Sequence, residues 1–272
     1  VGWVVTPVAI TFMYMMATRV VKLESSTFAI VLSCGTCVCG ASAATAVAGA
    51  IAAPKEELTL AIALITIFTT FQILLVPYIG MGLGIQKQVI GAWLGGSIDA
   101  TGAVVASADI LDDERALETA STVKIVQNAL IGIVAVVVTI IWLENSQGGD
   151  MESTNVKAED VGKFAKVKVY LKQVWMKFPK FILGFLLVSV LLTAFKETTN
   201  NDKYASMKML TKSMSQWWFT LGFTSIGIET VLQQMVAKME GTKPLFAYCI
   251  GQLFDLLMTL LFAWIAFDLM ES

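Results

Sequence analysis

The sequence predicts an all-α polytopic membrane protein, and two observations support this fold class. Hydrophobic residues make up 56% of the chain and charged residues 15%, and the mean hydropathy is +0.73. The apolar residues also come in long blocks, and a helix needs about 20 of them to span a bilayer. We expect about eight transmembrane segments, at Val4–Met16, Phe28–Ala53, Leu58–Leu83, Val89–Ala108, Val123–Leu143, Phe181–Ala194, Met214–Val236 and Leu245–Leu269.

Residue types that are missing from the sequence argue against several functions. The chain has no histidine, which removes the commonest metal ligand and the usual acid–base group at neutral pH. Its net charge is −2, and no basic face of the kind that binds nucleic acid is visible. We therefore expect no enzymatic activity, no cofactor and no nucleic-acid partner, whereas the lipid bilayer is the expected surrounding.

The basic segment 144–180 sets the expected orientation, because lysine and arginine concentrate in cytoplasmic loops. We interpret it as a cytoplasmic linker that lies on the membrane surface as a basic amphipathic helix. Counting helices outward from it, the loops alternate between the cytoplasm (Arg19, Lys22, Lys87 and Lys243) and the outside (Pro54–Glu57, Asp109–Glu118 and Ser272).

Four ionisable residues lie inside the predicted segments: Asp99, Lys124, Glu229 and Asp255. Charged groups at this depth are costly and usually line a pathway. Asp99 and Glu229, which lie among small and hydroxyl residues, are the predicted ion-coupling residues. Lys124 is near a helix start, from which its amine can reach the interface, and the role of Asp255 is left open.

Two apolar segments, 27–53 and 213–237, carry glycines in their middle and are predicted to be broken helices. Paired glycines make a poor continuous helix, and freed backbone groups are tolerated in a membrane only beside protein or a polar cavity. Thr36 or Ser42 is expected to cap the half-helix that follows the first break. Small-residue packing faces on unbroken helices are the alternative. Half-helix N-termini favour an anion, and the predicted substrate-binding residues are Gly35, Thr36, Cys39, Gly40, Ser42, Ser97, Thr224, Ser225 and Gly227.

Two further patterns receive a structural interpretation. Cys34, Cys37 and Cys39 lack a fourth nearby ligand for zinc, and buried cysteines are ordinarily small inert side chains. The motif Gly91-x-x-x-Gly95 is a weak signal for close helix packing.

The order of these motifs resembles the YeiH-like sulfate exporter family of multi-pass membrane proteins. Gly35-Thr36-Cys37-Val38-Cys39-Gly40 resembles its GSSICG-type motif, and GAWLGGSIDATGAVVASA resembles its W-x-G-x-S-[IV]-H-[ED] segment. GFTSIGIETVLQQMVAKMEGTKPL is similar to its A-x-x-x-G-L-x-T segment with the following G-x-K-P-L. Lys124 matches the lysine of its K-x-x-R helix. Where the family has His, an acidic residue, Gln and Arg, this chain has Asp99, Ala100, Ala103 and Gln127.

The resemblance implies a place in the cation/proton antiporter–anion transporter superfamily, whose members have two inverted five-helix repeats with broken, crossing helices. Residues 1–85 would then be the last three helices of an incomplete first repeat, and residues 86–272 the second repeat. Two or three helices would precede Val1.

We therefore expect a secondary transporter that moves a small anion, a sulfur oxyanion or an organic acid, by alternating access coupled to H⁺ or Na⁺. A cation/proton antiporter is a second hypothesis, because buried acidic residues suit cations. A third is a non-transporting membrane subunit of a larger complex, and a homodimer is also compatible with the sequence.

Overall fold

The computed structural model describes residues 1–146 and 241–267, together with helical residues scattered between 187 and 224. The described residues contain helices and no strand, which confirms the all-α class. The helices are α1 (Gly2–Met15, continued by a π-helical turn at Met16–Val20), α2 (Ser26–Cys34, followed by a π-helical turn at Gly35–Cys39), α3 (Gly40–Ile51), α4 (Lys55–Gly82), α5 (Lys87–Ser97), α6 (Thr101–Asp109), α7 (Glu114–Asn128), α8 (Leu130–Ser146) and α9 (Lys243–Phe267).

Five helical segments of the described chain are long and apolar enough to cross a membrane, by length and composition: Gly2–Val20, Ser26–Ile51, Lys55–Gly82, Glu114–Trp142 and Lys243–Phe267. Large apolar side chains such as Phe71, Leu74 and Ile133 are exposed on their outer surfaces. An apolar outer surface of this extent is what contact with lipid requires. The prediction of a multi-pass membrane protein is therefore confirmed. Half of the predicted segment Phe181–Ala194 and most of Met214–Val236 fall outside the described residues.

The segment Ser26–Ile51 folds back on itself between α2 and α3. Thr27 Oγ1 donates a hydrogen bond of 2.6 Å to Glu57 Oε2 at the start of α4, and α4 begins only a few residues after α3 ends. A straight helix over this segment would separate its ends by about 39 Å, which excludes the Thr27–Glu57 contact. The predicted crossing of the membrane by 27–53 is therefore wrong, because α2 and α3 form a hairpin that enters and leaves on one face.

The turn of this first hairpin lies where the sequence predicts a break. Cys39 has φ −152° and ψ 57°, and Gly40 has φ 41° and ψ −119°, a conformation that residues with a Cβ rarely adopt. The helical hydrogen bonds widen to a π turn over Gly35–Cys39 before the chain reverses. No side chain caps α3, and Thr36 Oγ1 instead donates to Leu32 O. The expectation that Thr36 or Ser42 caps α3 is therefore wrong.

The segment predicted as one span, Val89–Ala108, is a second hairpin built from α5 and α6. The backbone is extended at Ile98 and Ala100, so Asp99 lies at the turn. Gly91 faces Ala116, and Gly95 faces Ala120, which makes α7 run parallel to α5.

The reversal in the second hairpin follows from the contacts of α6 and α7. Asn128 at the end of α7 donates to Thr101 Oγ1 at the start of α6, while α7 begins just after α6 ends. The two helices are therefore antiparallel, so α6 runs back along α5. The prediction of a single crossing helix over Val89–Ala108 is wrong because neither α5 nor α6 is long enough to span.

Helix α4 crosses between the two hairpins and gives them opposite directions. Its first half contacts the first hairpin, where Ile65 lies beside Gly35 and Gly40. Its last turn contacts Ile90 of α5 through Gly80. Because α4 has 28 residues and is about 42 Å long, the first hairpin enters from the face at Lys55 and the second from the face at Gly82.

Four helices pack around the hairpins: α1, α9, and the consecutive pair α7 and α8. Helix α9 runs antiparallel to α5: Trp93 Nε1 donates to Leu256 O, and Gln252 Nε2 donates to Ser97 O. Helix α1 packs on α9, where the rings of Phe12 and Phe254 stack with centroids 3.8 Å apart. Each hairpin therefore packs against long helices.

The two reversals change which loops share a face of the membrane. Pro54, Glu56 and Glu57 line one surface pocket with Glu24 and Lys243, although the predicted alternation separates them. Lys87 and the acidic loop Asp109–Glu118 share the other face, because α5 and α6 return. The predicted alternation of these loops is therefore wrong.

Residues Pro179–Val236 form a second compact unit, separate from the unit made by Val1–Phe178 and Ala237–Ser272. Its described residues, between 187 and 224, are helical. The predicted linker 144–180 lies outside the described residues from residue 147 onward, and so does most of the predicted broken helix 213–237.

Candidate functional site at the hairpin tips

The tips of the two hairpins meet inside the first unit. A Cβ placed on Gly40 would lie 3.6 Å from Asp99 Cβ and 3.7 Å from Asp99 O. Helix α5 has 11 residues, about 16 Å, which is roughly half of a 30 Å hydrocarbon core. A helix of this length that begins at a membrane surface ends near the midplane.

Two side chains of α7 join the two tips. Lys124 Nζ donates to Val38 O at 2.6 Å and to Gln127 Oε1 at 2.8 Å. Both side chains are buried. The amide nitrogen of Gln127 lies within hydrogen-bond distance of three oxygens: Cys37 O at 3.1 Å, Gly96 O at 2.9 Å and Thr6 Oγ1 at 3.1 Å. These bonds satisfy carbonyl groups that no helix satisfies at the turns, as a membrane interior requires.

Asp99 is the charged residue of the second tip, and it is buried. Tyr248 on α9 donates its hydroxyl proton to Asp99 Oδ2 at 3.3 Å. Thr69 Oγ1 on α4 lies 3.4 Å from the same oxygen, and it also donates to Ile65 O at 2.8 Å. Lys124 interacts electrostatically with Asp99, so this carboxylate is stabilised by one buried cation and by hydroxyl groups from two long helices.

Asp255 on α9 is a second buried carboxylate beside the tips. It interacts electrostatically with both Asp99 and Lys124. Gln252, one turn earlier on α9, donates to Ser97 O at the end of α5. Two acidic side chains and one lysine thus share the buried region between the tips and α9.

The first-tip residues predicted from the sequence lie close together. Gly35, Thr36 and Gly40 are buried at the first turn and Cys39 is half-buried there. Ser42 lies on an exposed face of α3, away from the buried polar groups. Cys34 and Cys37 are buried free thiols.

The remaining predicted site residues have different positions. Ser97 is buried beside the second turn, and its hydroxyl donates to Trp93 O. Thr224 belongs to the second unit, where its hydroxyl donates to Thr220 O. Ser225, Gly227 and Glu229 lie outside the described residues, so their predicted roles stay predictions.

Several residues of the site were missed by the sequence analysis. The turn at Ile98–Ala100 was read as part of a continuous helix, and Tyr248 and Thr69 carried no signal of their own. Gln127 follows Lys124 at a spacing that puts both on one helix face. Gln252 precedes Asp255, whose role the sequence analysis left open, at the same spacing, and this periodicity was the signal available for both glutamines.

The N-termini of α3 and α6 begin at the two tips. Neither helix has a side chain that accepts a hydrogen bond from its first turn. The first amides of a helix have no partner within the helix and carry partial positive charge. The site therefore combines two uncapped N-termini and the Lys124 ammonium with the carboxylates of Asp99 and Asp255.

Comparison with known proteins shows the family of the chain. Residues 2–248 match the family described as conserved hypothetical protein 698. UPF0324 membrane proteins of Rhodopirellula baltica and Nitratidesulfovibrio vulgaris are each 38% identical over 98% of this chain, which covers 47% and 44% of their lengths. A UPF0324 membrane protein of Nitrosomonas europaea is 28% identical over 84% of the chain and 50% of its own length. The chain thus spans about half the length of these relatives, and no solved structure matches it.

Because the family model matches residues 2–248, most of the chain, the chain belongs to the conserved hypothetical protein 698 family of UPF0324 membrane proteins.

Proposed function

We propose that the chain is part of a secondary transporter that moves a small anion by alternating access. The observation that carries this proposal is the meeting of two hairpins, one from each face, at Gly40 and Asp99. Irregular backbone at this depth is tolerated only where protein or a polar cavity satisfies it. Each hairpin reaches the midplane from its own face, so movement of either one opens the centre to that face alone.

An inverted repeat accounts for this arrangement. In residues 26–82 a hairpin is followed by the crossing helix α4, and in residues 87–146 a hairpin is followed by the crossing helices α7 and α8. The two halves run in opposite directions across the membrane. Each hairpin ends at a non-glycine residue with positive φ, Ala52 at 52° and Asp112 at 47°, just before the next helix. The boundary that the sequence predicts, between residues 85 and 86, lies between the two units of this proposed repeat.

An anionic substrate is favoured by the chemistry at the tips. The N-termini of α3 and α6 offer backbone N–H groups, and Lys124 supplies a full positive charge close to both tips. Helix N-termini at broken transporter helices bind the anionic groups of substrates. A sulfur oxyanion or a small organic acid fits this donor set, and Asp99 at the second turn is the proposed coupling residue for H⁺ or Na⁺.

Flux measurements on the full-length protein in proteoliposomes test this proposal. We expect uptake of radiolabelled sulfate, sulfite or succinate that depends on an imposed H⁺ or Na⁺ gradient. Asp99→Asn is expected to reduce coupled uptake at least about tenfold, because it removes the charge that binds the coupling ion. Asp109→Asn, an exposed aspartate of the acidic loop, is the matched control and is expected to transport like the wild type.

Two results would contradict the anion transporter. One is uptake of all three anions at the rate of protein-free liposomes under every gradient. The other is equal coupled uptake by Asp99→Asn and the wild type. Either would leave the arrangement of the tips without the proposed role.

A cation/proton antiporter is the second candidate, and one observation favours it. Asp99 and Asp255 are both buried beside a single buried lysine, Lys124, in the described part of the chain. Two carboxylates sharing one positive charge suit the exchange of a cation for a proton. Proton release from proteoliposomes on addition of Na⁺, with no permeant anion present, distinguishes the antiporter from the anion transporter.

A further inference from the structure

Three residues on one face of α9 hold oxygen atoms that have no hydrogen-bond partner among the residues that the structure describes. They are Gln252 Oε1, both carboxylate oxygens of Asp255, and Thr259 Oγ1. The residues are spaced three and four apart, so they form one stripe along the helix. Their exposed fractions are 4%, 1% and 0%, so bulk solvent does not reach them.

The stripe faces the end of α5 and is closed off by it. Gln252 uses its nitrogen to donate to Ser97 O at 3.1 Å, which leaves its oxygen free to accept. Thr259 Cγ2 lies 2.5 Å from where a Cβ on Gly96 would be, so a larger residue at Gly96 would displace the Thr259 side chain. Trp93 Nε1 donates to Leu256 O on the same stretch of α9.

Three titratable groups, from the two hairpin tips and from α7, interact electrostatically with Asp255. Asp99 lies at the second tip, Lys124 on α7 and Cys37 at the first tip. Tyr248, two turns earlier on α9, donates a hydrogen bond from its hydroxyl to Asp99. With both carboxylates and the lysine charged and the thiol and phenol neutral, this buried region carries one net negative charge.

Buried oxygens without partners are rare in folded proteins and each one needs an explanation. A buried carboxylate needs a partner most of all, because its desolvation is the most costly. The amine of Lys124 is already bonded to Val38 O and Gln127 Oε1. The oxygens of this stripe therefore need a positively charged group that several of them can contact at the same time.

We propose that Gln252, Asp255 and Thr259 form a binding site for a Na⁺ ion. Carboxylate, amide and hydroxyl oxygens are the ligands that hard cations prefer. One monovalent cation cancels the net charge of the region, whereas a divalent ion would leave it positive. A proton on Asp255 would neutralise the same charge, and it would make the stabilisation depend on pH and not on Na⁺ concentration. This site goes beyond the proposed function, because ion binding is measurable in the absence of transport.

The test uses the full-length protein in detergent, with Na⁺ titrated against choline at constant ionic strength. Binding to the folded state raises its Tm with a saturable dependence on Na⁺ concentration. Equilibrium dialysis with sodium-22 measures the same binding directly. We expect Asp255→Asn and Thr259→Val each to weaken the affinity at least about tenfold, as loss of a metal-site group does.

Matched controls separate the site from general effects of the substitutions. Thr66→Val removes a hydroxyl that donates to its own helix at Ile62 O, and Asp109→Asn removes an exposed carboxylate. Both are expected to bind sodium-22 like the wild type. Because Thr259→Val conserves shape, it tests the site even where Asp255→Asn fails to fold.

Three results would overturn the site: identical Tm curves in Na⁺ and choline for the wild type, wild-type sodium-22 binding by both site variants, or stabilisation that follows pH and ignores Na⁺. If anion flux is intact and any of these results is found, the sodium site is refuted and the proposed transport function still stands. Conversely, sodium-22 binding with no flux of any anion refutes the transporter and leaves the site.

Discussion

Replacing Lys124 with methionine tests whether this side chain holds the two hairpin tips together. Methionine keeps the unbranched shape and the apolar stem of lysine but has no donor and no charge. In the wild type the Lys124 amine donates to Val38 O at 2.6 Å and to Gln127 Oε1 at 2.8 Å. The substitution therefore removes one hydrogen bond to the first tip, at Val38, and one to Gln127, which is itself hydrogen-bonded to both tips.

The expected loss of stability follows from these two bonds. A hydrogen bond from a charged donor contributes about 1.5–3 kcal/mol, so two of them give about 3–6 kcal/mol. Removing one member of a buried charged group costs about 3–5 kcal/mol by itself. The two figures describe the same loss, and we expect Lys124→Met to lower the free energy of unfolding by about 3–5 kcal/mol.

Reversible unfolding in mixed micelles, followed by tryptophan fluorescence, measures this loss. Lys87→Met, at an exposed lysine where α5 begins, is the control and is expected to change stability by less than about 0.5 kcal/mol. Because Lys124 and Asp99 interact, Lys124→Met with Asp99→Asn should lose about 1–3 kcal/mol less than the sum of the single variants. A loss below about 1 kcal/mol for Lys124→Met, or strict additivity with Asp99→Asn, would refute the reasoning.

Three further predictions concern the hairpins. Gly91→Ala and Gly95→Ala are each expected to lower the free energy of unfolding by about 1–3 kcal/mol, because a Cβ would overlap Ala116 O or Ala120 O. Gly49→Ala, whose Cβ meets nothing within 4 Å, is the control and is expected to raise the free energy of unfolding by up to about 1 kcal/mol, because alanine favours a helix more than glycine does. Gly40→Ala is expected to cost about 1–3 kcal/mol, because alanine resists φ of 41°, and a stability equal to the wild type would mean that the first turn has another conformation. Single cysteines that replace Lys87 and Arg115 should react with an impermeant maleimide from one side of sealed vesicles, and a single cysteine that replaces Glu56 should react from the other side. Labelling of the cysteines at positions 87 and 115 from opposite sides would contradict the second hairpin.

The sequence predicted the first break, because its cause is local. Gly40 adopts a backbone conformation that few residues tolerate, and a pair of glycines inside an apolar run is visible without any tertiary information. The packing of Gly91 and Gly95 against α7 was visible for the same reason, since close helix approach needs small residues at that spacing.

The reversal of direction at each break was not predicted, because its cause is not local. Both apolar runs were long enough to cross, and the usual count of about 20 residues treats them as spans. What turns them back are partners distant in sequence: Glu57 for Thr27, and Asn128 for Thr101. The second break had no glycine at its turn, so Ile98–Ala100 gave no local warning. The predicted orientation of the loops was wrong for the same reason. Each hairpin that was counted as a crossing moved all the following loops to the opposite face of the membrane.

The polar residues inside the membrane serve two purposes, and the hairpins explain how to separate them. A hairpin that stops at half depth leaves backbone carbonyls in the apolar interior, where each needs a donor. Lys124 supplies Val38 O, Gln127 supplies Cys37 O and Gly96 O, and Gln252 supplies Ser97 O. These side chains are therefore required by the fold whether or not anything is transported. Asp255 satisfies no carbonyl, because an ionised carboxylate only accepts hydrogen bonds, and neither of its oxygens has a donor among the described residues. A buried carboxylate needs such a partner, and the proposed Na⁺ ion supplies it.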